Sequence, residues 1–111
     1  MPELGTIPWR SGRSGREYSY YLVYKIGAEL GAAPGNYIFA EESSPDIFLP
    51  IFIGQTSDLS ERFENHRTMP CIKCNHATRI HVHRSNGGEK TRLAVVSDLV
   101  ARWVPPCNRT R

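Results

Sequence analysis

Runs rich in β-branched and aromatic residues predict the strands of this chain. Three such runs lie in its first half, and because they are close together in sequence we expect them to pair as an antiparallel meander. In a fourth run, Ile80 and Val82 alternate with charged and imidazole side chains, which predicts a strand with one buried face. The four predicted strands cover residues 19–26, 36–42, 51–54 and 78–85.

A helical pattern follows the third predicted strand. Leu59 and Phe63 are four residues apart and predict the buried side of a first helix. Asp58 and Glu61 have the spacing of a capping box at its start. Met69-Pro70 is predicted to end this helix.

A second and stronger helical pattern covers residues 88–103, and Pro105-Pro106 is predicted to stop it. Its apolar residues fall on one stripe at helical spacing, which predicts the face that packs on the sheet. The stripe consists of Leu93, Val96, Val100 and Trp103, with Leu99 beside it.

Two segments are predicted to be connections without regular structure. Residues 43–50 form a hairpin-like connection bounded by Pro50, and residues 71–77 join the first helix to the fourth strand. The resulting order of strands, helix, strand and helix is typical of a small α+β domain in which helices pack against a short sheet.

Length and composition agree with one globular domain of 111 residues, 40% of them hydrophobic and 23% charged. Residues 1–17 are rich in Gly, Ser, Arg and Pro and are predicted to be a flexible basic arm, with the single domain at 18–111. No apolar run is long enough for a membrane span, and the first residues lack the apolar region of a secretory signal.

The charge and the cysteine content indicate which partners and which cellular compartment to expect. The net charge of +3 is concentrated in the C-terminal half, which is compatible either with a phosphate-facing surface or with an ordinary solvated one. Three cysteines make a poor disulfide framework, so we expect reduced thiols and a cytoplasmic protein. The spacing of Cys71 and Cys74 relative to His76, His81 and His83 argues against a Zn²⁺ site.

Several short motifs, taken in order, resemble the GIY-YIG nuclease domain over residues 34–108. The resemblance implies a small α/β sandwich with a central three-stranded antiparallel sheet flanked by helices. It also implies metal-dependent hydrolysis of DNA phosphodiesters, with Mg²⁺ or Mn²⁺. The motifs are Pro34 to Phe39, Ile51 to Thr56, Asp58-Leu59, Arg62, His66, Arg92, Asp98-Leu99 and Pro105 to Asn108.

The same resemblance assigns roles to individual residues. Arg62 stands where the family neutralises phosphate charge, and a guanidinium suits that role because it is always charged and forked. His66 lies one turn further and can hydrogen-bond to the same site. Tyr37 supplies a hydroxyl that orients or deprotonates the attacking water, the alternative being that it is a plain core tyrosine. Asn108 ties the chain end back toward the site.

Two positions depart from the family pattern. Phe52 replaces the tyrosine of the second signature strand and therefore lacks its hydroxyl. Val96 replaces the glutamate that binds the metal, and valine has no oxygen for a hard cation. Glu89 and Asp98 are displaced along or around the helix and do not replace it. The resemblance therefore implies an impaired nuclease or a pseudo-nuclease.

A non-catalytic module that binds nucleic acid or protein on the same fold is the alternative function. DNA is the expected partner, and a protein partner or homodimerisation would supply specificity. Arg79, His81 and His83 either face phosphate or form an ordinary solvated strand face. The candidate phosphate-binding residues are Arg67, Lys73, Arg79, His81, His83 and Arg84.

Overall fold

The chain is a small α+β domain in which an antiparallel sheet is flanked by helices. The structure is a computed structural model. It describes residues 12–18, 22–25, 30–45, 47–61 and 68–108.

Four strands and two α-helices make up the regular structure of these residues. The strands are β1 (Leu22–Lys25), β2 (Gly35–Ser44), β3 (Ile47–Thr56) and β4 (Arg79–Arg84). The helices are α1 (Met69–Cys74) and α2 (Gly88–Trp103), followed by a 3-10 helix at Pro106–Asn108.

The strand order is β1-β4-β2-β3, with every neighbouring pair antiparallel. The predicted meander is therefore wrong in one respect, because β4 lies between β1 and β2. The predicted three-stranded sheet corresponds to β4, β2 and β3, and β1 adds a fourth strand beside β4. Closeness in sequence favours pairing without enforcing it, and β4 pairs with both of its neighbours.

The connection predicted at residues 43–50 is mostly strand. β2 continues to Ser44 and β3 already begins at Ile47, so Pro50 lies inside a strand. Two features make room for it. β3 is one of the two outer strands of the described sheet, and the register shifts beside Pro50, where Phe39 pairs with Phe52 but Ala40 pairs with Pro50. Outer strands and bulges are the places where a sheet tolerates the missing proline N–H.

The sheet is covered on both faces. Tyr37 and Phe39 point to one side, which we call the α1 face. Ile38 and Ala40 alternate with them and point to the other side, which we call the α2 face. The α1 face is closed by Leu59, Met69, Ile72 and Cys107, and the α2 face by Leu99 with Val95, Val96, Val100 and Trp103.

The expectation that β4 exposes one face is wrong. His81 lies on the α2 face with 0% of its surface exposed, and its ring meets that of Phe48 edge-on at a centroid distance of 4.7 Å. The alternating pattern predicts apolar side chains inside and polar ones outside, but a neutral imidazole can pack in the core against an aromatic ring. Arg79, near the start of the same strand, is half-buried and forms an ion pair with Glu42 at 3.2 Å.

Helix α2 has the predicted bounds, and Val96, Leu99, Val100 and Trp103 of the predicted stripe pack on the sheet. The start of the stripe differs. Leu93, predicted to be in the stripe, is 49% exposed, whereas Arg92 is only 5% exposed. Residues 71–74, predicted to be part of a connection, belong to a separate helix, since Met69-Pro70 begins α1 and Pro70 lies in its first turn. Proline is well tolerated there, since the first N–H groups of a helix have no intrahelical partner. Residues 62–67 of the predicted first helix lie outside the described residues.

Part of the predicted basic arm is in contact with α2. The Asp98 carboxylate accepts hydrogen bonds from the Ser14 N–H (2.8 Å), the Ser14 hydroxyl (2.7 Å) and the Tyr18 hydroxyl (2.7 Å). A Cβ on Gly12 would collide with the same carboxylate, so a glycine is needed at this approach. Asp98 therefore holds residues 12–18 against the helix, and its carbonyl also accepts from the Arg13 N–H at 3.1 Å.

The expectation of three reduced thiols is wrong. Cys71 in α1 forms a disulfide with Cys107 in the 3-10 helix, and Cys74 is free and exposed. The two paired residues are 36 positions apart, and only the fold brings them together. Among the described residues, no helix has the length and apolar character needed to cross a membrane.

Candidate functional site

Three motifs that are far apart in sequence meet at two adjacent residues of β3. Tyr37 of β2 pairs across the sheet with Gly54. The Asn108 side chain reaches the neighbouring residue, where its Oδ1 accepts from Ile53 N–H (2.7 Å) and its Nδ2 donates to Ile53 C=O (2.9 Å). The chain end is thereby fixed to the strand that carries the second signature.

Gly54 has to be a glycine because the Tyr37 phenol occupies the space of a side chain there. A Cβ at this position would lie 2.6 Å from the Tyr37 hydroxyl oxygen, 2.7 Å from its Cζ and 2.9 Å from Phe52 Cε2. These distances are well below van der Waals contact. Since Tyr37 is only 3% exposed, its ring cannot swing aside into solvent.

We expect Gly54→Ala to destabilise the domain by about 1–3 kcal/mol, the usual cost of overpacking a core. The cost should be smaller in the Tyr37→Phe background, because the hydroxyl that makes the shortest contact is then gone. Chemical denaturation of the four proteins of this double-mutant cycle measures the difference. Gly31→Ala is the matched control, since its Cβ would meet only the end of the exposed Arg84 side chain, at 3.2 Å. Additive costs would contradict the expectation.

The surroundings of Tyr37 keep its phenol protonated. Its ring packs edge-on against Phe39, with centroids 5.6 Å apart, and at a tilt against Phe52 at 6.1 Å. Burial raises the pKa of the Tyr37 hydroxyl, and the negative charge of Glu61 raises it further. A group in this state acts as a hydrogen-bond donor or acceptor. It therefore fits the orienting role named for this tyrosine better than the deprotonating one.

A tight hydrogen-bonded turn follows β3. The Thr56 hydroxyl donates to Glu61 Oε1 at 2.6 Å and accepts from the Asp58 N–H at 3.1 Å. Asp58 Oδ1 accepts from the N–H (2.9 Å) and the hydroxyl (2.6 Å) of Ser60, and these bonds lower the Asp58 pKa. The Glu61 carboxylate thus bonds to Thr56, and the Asp58 carboxylate caps Ser60. Three predicted site residues come next in the chain, Arg62, His66 and Arg67, and they lie outside the described residues.

The position predicted for a metal ligand does not fit that role. Val96 packs against the apolar cluster of the α2 face, whereas Tyr37 belongs to the α1 face, so the sheet separates the two. A valine offers no oxygen to Mg²⁺ or Mn²⁺. No group of three acidic, histidine or cysteine residues that could hold a metal exists among the described residues. For Zn²⁺, the sulfur of Cys71 is already bonded to Cys107.

The candidate phosphate-binding residues do not share one surface. His81 is buried, and burial together with the charge of Arg79 lowers its pKa from 6.5 to about 3, so it is a neutral core residue. Neither reading weighed for His81, a phosphate contact or a solvated position, is correct. Lys73 is exposed in the last turn of α1. His83 is partly buried on the α2 face, and Arg84 is exposed at the end of β4.

Sequence reasoning missed a polar cluster on the α2 face. The Nε of the buried Arg92 donates to Gln55 Oε1 at 2.9 Å, and the Arg92 carbonyl accepts from Asn36 Nδ2 at 3.0 Å. The signal was present in the spacing, because Arg92 precedes Val96, Leu99 and Trp103 by four, seven and eleven residues. The stripe is predicted from apolar residues alone, so Arg92 is left out of it.

The described site residues therefore form two groups on opposite faces of the sheet. Tyr37, Gly54 and Glu61 lie toward the α1 face, and Arg92 with its two amide partners lies toward the α2 face. No protein-family model, curated protein or solved structure matches this chain. The function proposed below therefore depends on the residues and their geometry.

Proposed function

We propose that this chain is a GIY-YIG-type domain that binds DNA and hydrolyses it weakly or not at all. One observation carries the proposal. Tyr37 of the first signature meets Gly54 of the second, and Asn108 bonds to the adjacent Ile53, as the resemblance requires of a common site. A buried, protonated Tyr37 beside the turn that leads to Arg62 would orient a phosphodiester or a water near an arginine.

The roles proposed for the residues follow from their chemistry. Arg62 would hold a phosphate by charge-assisted hydrogen bonds, and His66 would add one further donor. Tyr37 would fix the position of the phosphate or the water through its hydroxyl. Phe52 lacks the hydroxyl and Val96 lacks the carboxylate that the family uses at these positions. We therefore expect the rate of hydrolysis to be lower by orders of magnitude.

DNA binding is the first test. A 20-base-pair duplex titrated by fluorescence anisotropy should bind at low salt, and its affinity should fall steeply between about 50 and 200 mM salt because phosphate contacts release counterions. Arg62→Gln should weaken binding and reduce the salt slope, while the matched control Arg102→Gln, on the exposed side of α2, should not. Absence of binding by the unaltered chain at low salt would refute the proposal.

Strand cleavage separates the two versions of the function. Supercoiled plasmid incubated with Mg²⁺ or Mn²⁺ should show slow nicking if the domain is still an enzyme, and nicking should vanish in Arg62→Ala and in Tyr37→Phe. DNA binding without nicking above the Arg62→Ala background assigns the chain to the second candidate, a non-catalytic binding module. The apolar packing of Val96 favours that candidate.

The proposal also concerns the source of DNA specificity and the cellular compartment. A domain of this size would gain sequence or structure preference from a protein partner or from a second copy of itself. We propose the cytoplasm as its compartment only for the reduced form of the chain, because the Cys71–Cys107 disulfide of the structure is typical of an oxidising compartment. The state of the Cys71–Cys107 pair in the native protein tests this, because a reducing compartment keeps such thiols apart.

A further inference from the structure

Arg92 is buried, and no counter-charge for it lies among the residues that the structure describes. It is only 5% exposed, beneath α2 and against the sheet. Its guanidinium donates through Nε to the neutral amide of Gln55. Among the described residues no carboxylate forms an ion pair with it, and the one such pair there joins Arg79 to Glu42. A buried charge held only by neutral partners is costly, so arginines in this position normally have an anion beside them.

The neighbouring positions explain why no carboxylate is present. The residue one turn further along the same side of α2 is Val96, at the i+4 distance where a glutamate would reach the guanidinium. Valine supplies no such carboxylate. A bound anion can provide the negative charge that α2 lacks beside Arg92.

A second buried group with unused bonding capacity lies beside Arg92. The Asn36 side chain is fully buried, and its Nδ2 donates to the Arg92 carbonyl (3.0 Å) and, at 3.4 Å, to the Gly54 carbonyl. Its Oδ1 has no hydrogen-bond partner. Because an amide oxygen only accepts, the group that satisfies it must carry a donor hydrogen.

The cluster lies beside partly exposed residues of the sheet. Asn36 pairs with Gln55 of β3 and with His83 of β4, which makes one cross-strand row on the α2 face. The two outer members of this row are partly exposed while Asn36 between them is not. The row lies near the end of the sheet, where the turn at Gly87 leads into α2.

We propose that Arg92 and Asn36 form a binding site for a phosphate that carries a hydroxyl, either hydrogen phosphate or a singly protonated phosphomonoester. The guanidinium takes the charged oxygens and Asn36 Oδ1 accepts from the P–OH group. The site needs no metal, lies on the face of the sheet opposite Tyr37, and does not rest on the DNA-binding function proposed above.

Inorganic phosphate is the first probe, used with the whole chain in EDTA at about pH 6, where phosphomonoesters are close to half singly protonated. Phosphate should raise the melting temperature in a saturable manner, and isothermal titration should detect one site. Chloride at matched ionic strength and sulfate should not reproduce the effect, because neither carries a hydroxyl hydrogen at this pH. Equal stabilisation by sulfate or by chloride overturns the proposal.

Two variants locate the site. Arg92→Gln should weaken phosphate binding at least about tenfold, as expected for a lost charged hydrogen bond, whereas Lys90→Gln, an exposed residue of the same helix, should leave it unchanged. Because Arg92→Gln can also impair folding, Val96→Glu is the second variant. Its carboxylate should pair with Arg92 inside the folded chain and abolish phosphate binding. Phosphate binding by Val96→Glu with unaltered affinity contradicts the site.

A terminal phosphate of a nucleic acid and free phosphate have the same chemistry, and a comparison of oligonucleotides distinguishes them. A 5′-phosphorylated single strand that binds more tightly than free phosphate, and more tightly than the same strand with a 5′-hydroxyl, identifies nucleic-acid ends as the source. Tighter binding of free phosphate identifies a small-molecule ligand. Either result supports the site only if the tighter binding is lost in the Val96→Glu variant.

Discussion

Acidification from pH 7 to pH 4 should cost the domain about 3 kcal/mol of folding free energy through His81 alone. Burial lowers the pKa of this imidazole from 6.5 to about 3 in the folded chain. Between these two values the unfolded chain binds a proton that the folded chain does not, so stability is fully present above pH 6.5 and falls as the pH drops toward 3. Equilibrium unfolding in urea at several pH values measures this loss.

His81→Leu is the variant that isolates the effect. It replaces the imidazole by an apolar side chain of similar size and should flatten the stability profile between pH 7 and pH 4.5. His83→Gln, two residues along the same strand, should keep the profile of the unaltered chain. Asp58 and Asp98 have lowered pKa values because their carboxylates accept hydrogen bonds, and their contributions are lost at lower pH. A profile for His81→Leu as steep as that of the parent would show that the imidazole is not the cause.

Reduction of the Cys71–Cys107 disulfide should lower the free energy of unfolding by about 4 kcal/mol, the loop-entropy value for a cross-link spanning 36 residues. For a domain of about this size, such a loss lowers the melting temperature by more than about 10 °C. The double variant Cys71→Ala, Cys107→Ala should reproduce the effect of a reducing agent, and adding the reductant to that variant should change nothing further.

Cys74→Ala provides the matched control for the disulfide. Cys74 is exposed on the same helix and forms no bond in the structure, so its removal should leave both stability and sensitivity to reductant unchanged. Mass spectrometry after alkylation under non-reducing conditions should find one modified cysteine per chain. Three modified cysteines in freshly purified protein would mean that the pair is reduced and the expected loss does not apply.

The parts of the fold that the sequence predicts are those where local pattern and tertiary packing agree. Helix α2 has the predicted bounds because the glycine turn before it and the two prolines after it act locally. The pair β2 and β3 is predicted because their apolar runs are short and close together. The position of Pro50 inside β3 is not predictable in this way, since it depends on β3 being an outer strand.

The residues that sequence reasoning placed wrongly are polar residues whose surroundings come from distant parts of the chain. His81 is fully buried and its ring is packed against that of Phe48, which is 33 residues away, so nothing near His81 in sequence indicates this. Arg92 is buried because its side chain finds Gln55, which is 37 residues away. In both cases the expectation that polar residues face solvent fails, because the α2 face of the sheet is also covered.

The amide of Asn108 has a consequence for how this domain meets other chains. By bonding both the N–H and the C=O of Ile53, it imitates one residue of an additional strand on the outer side of β3. An incoming peptide would have to displace that amide, and with it a segment tethered through Cys107, before it could extend the sheet. Strand addition is therefore hindered at this position, which protects the domain against edge-to-edge aggregation.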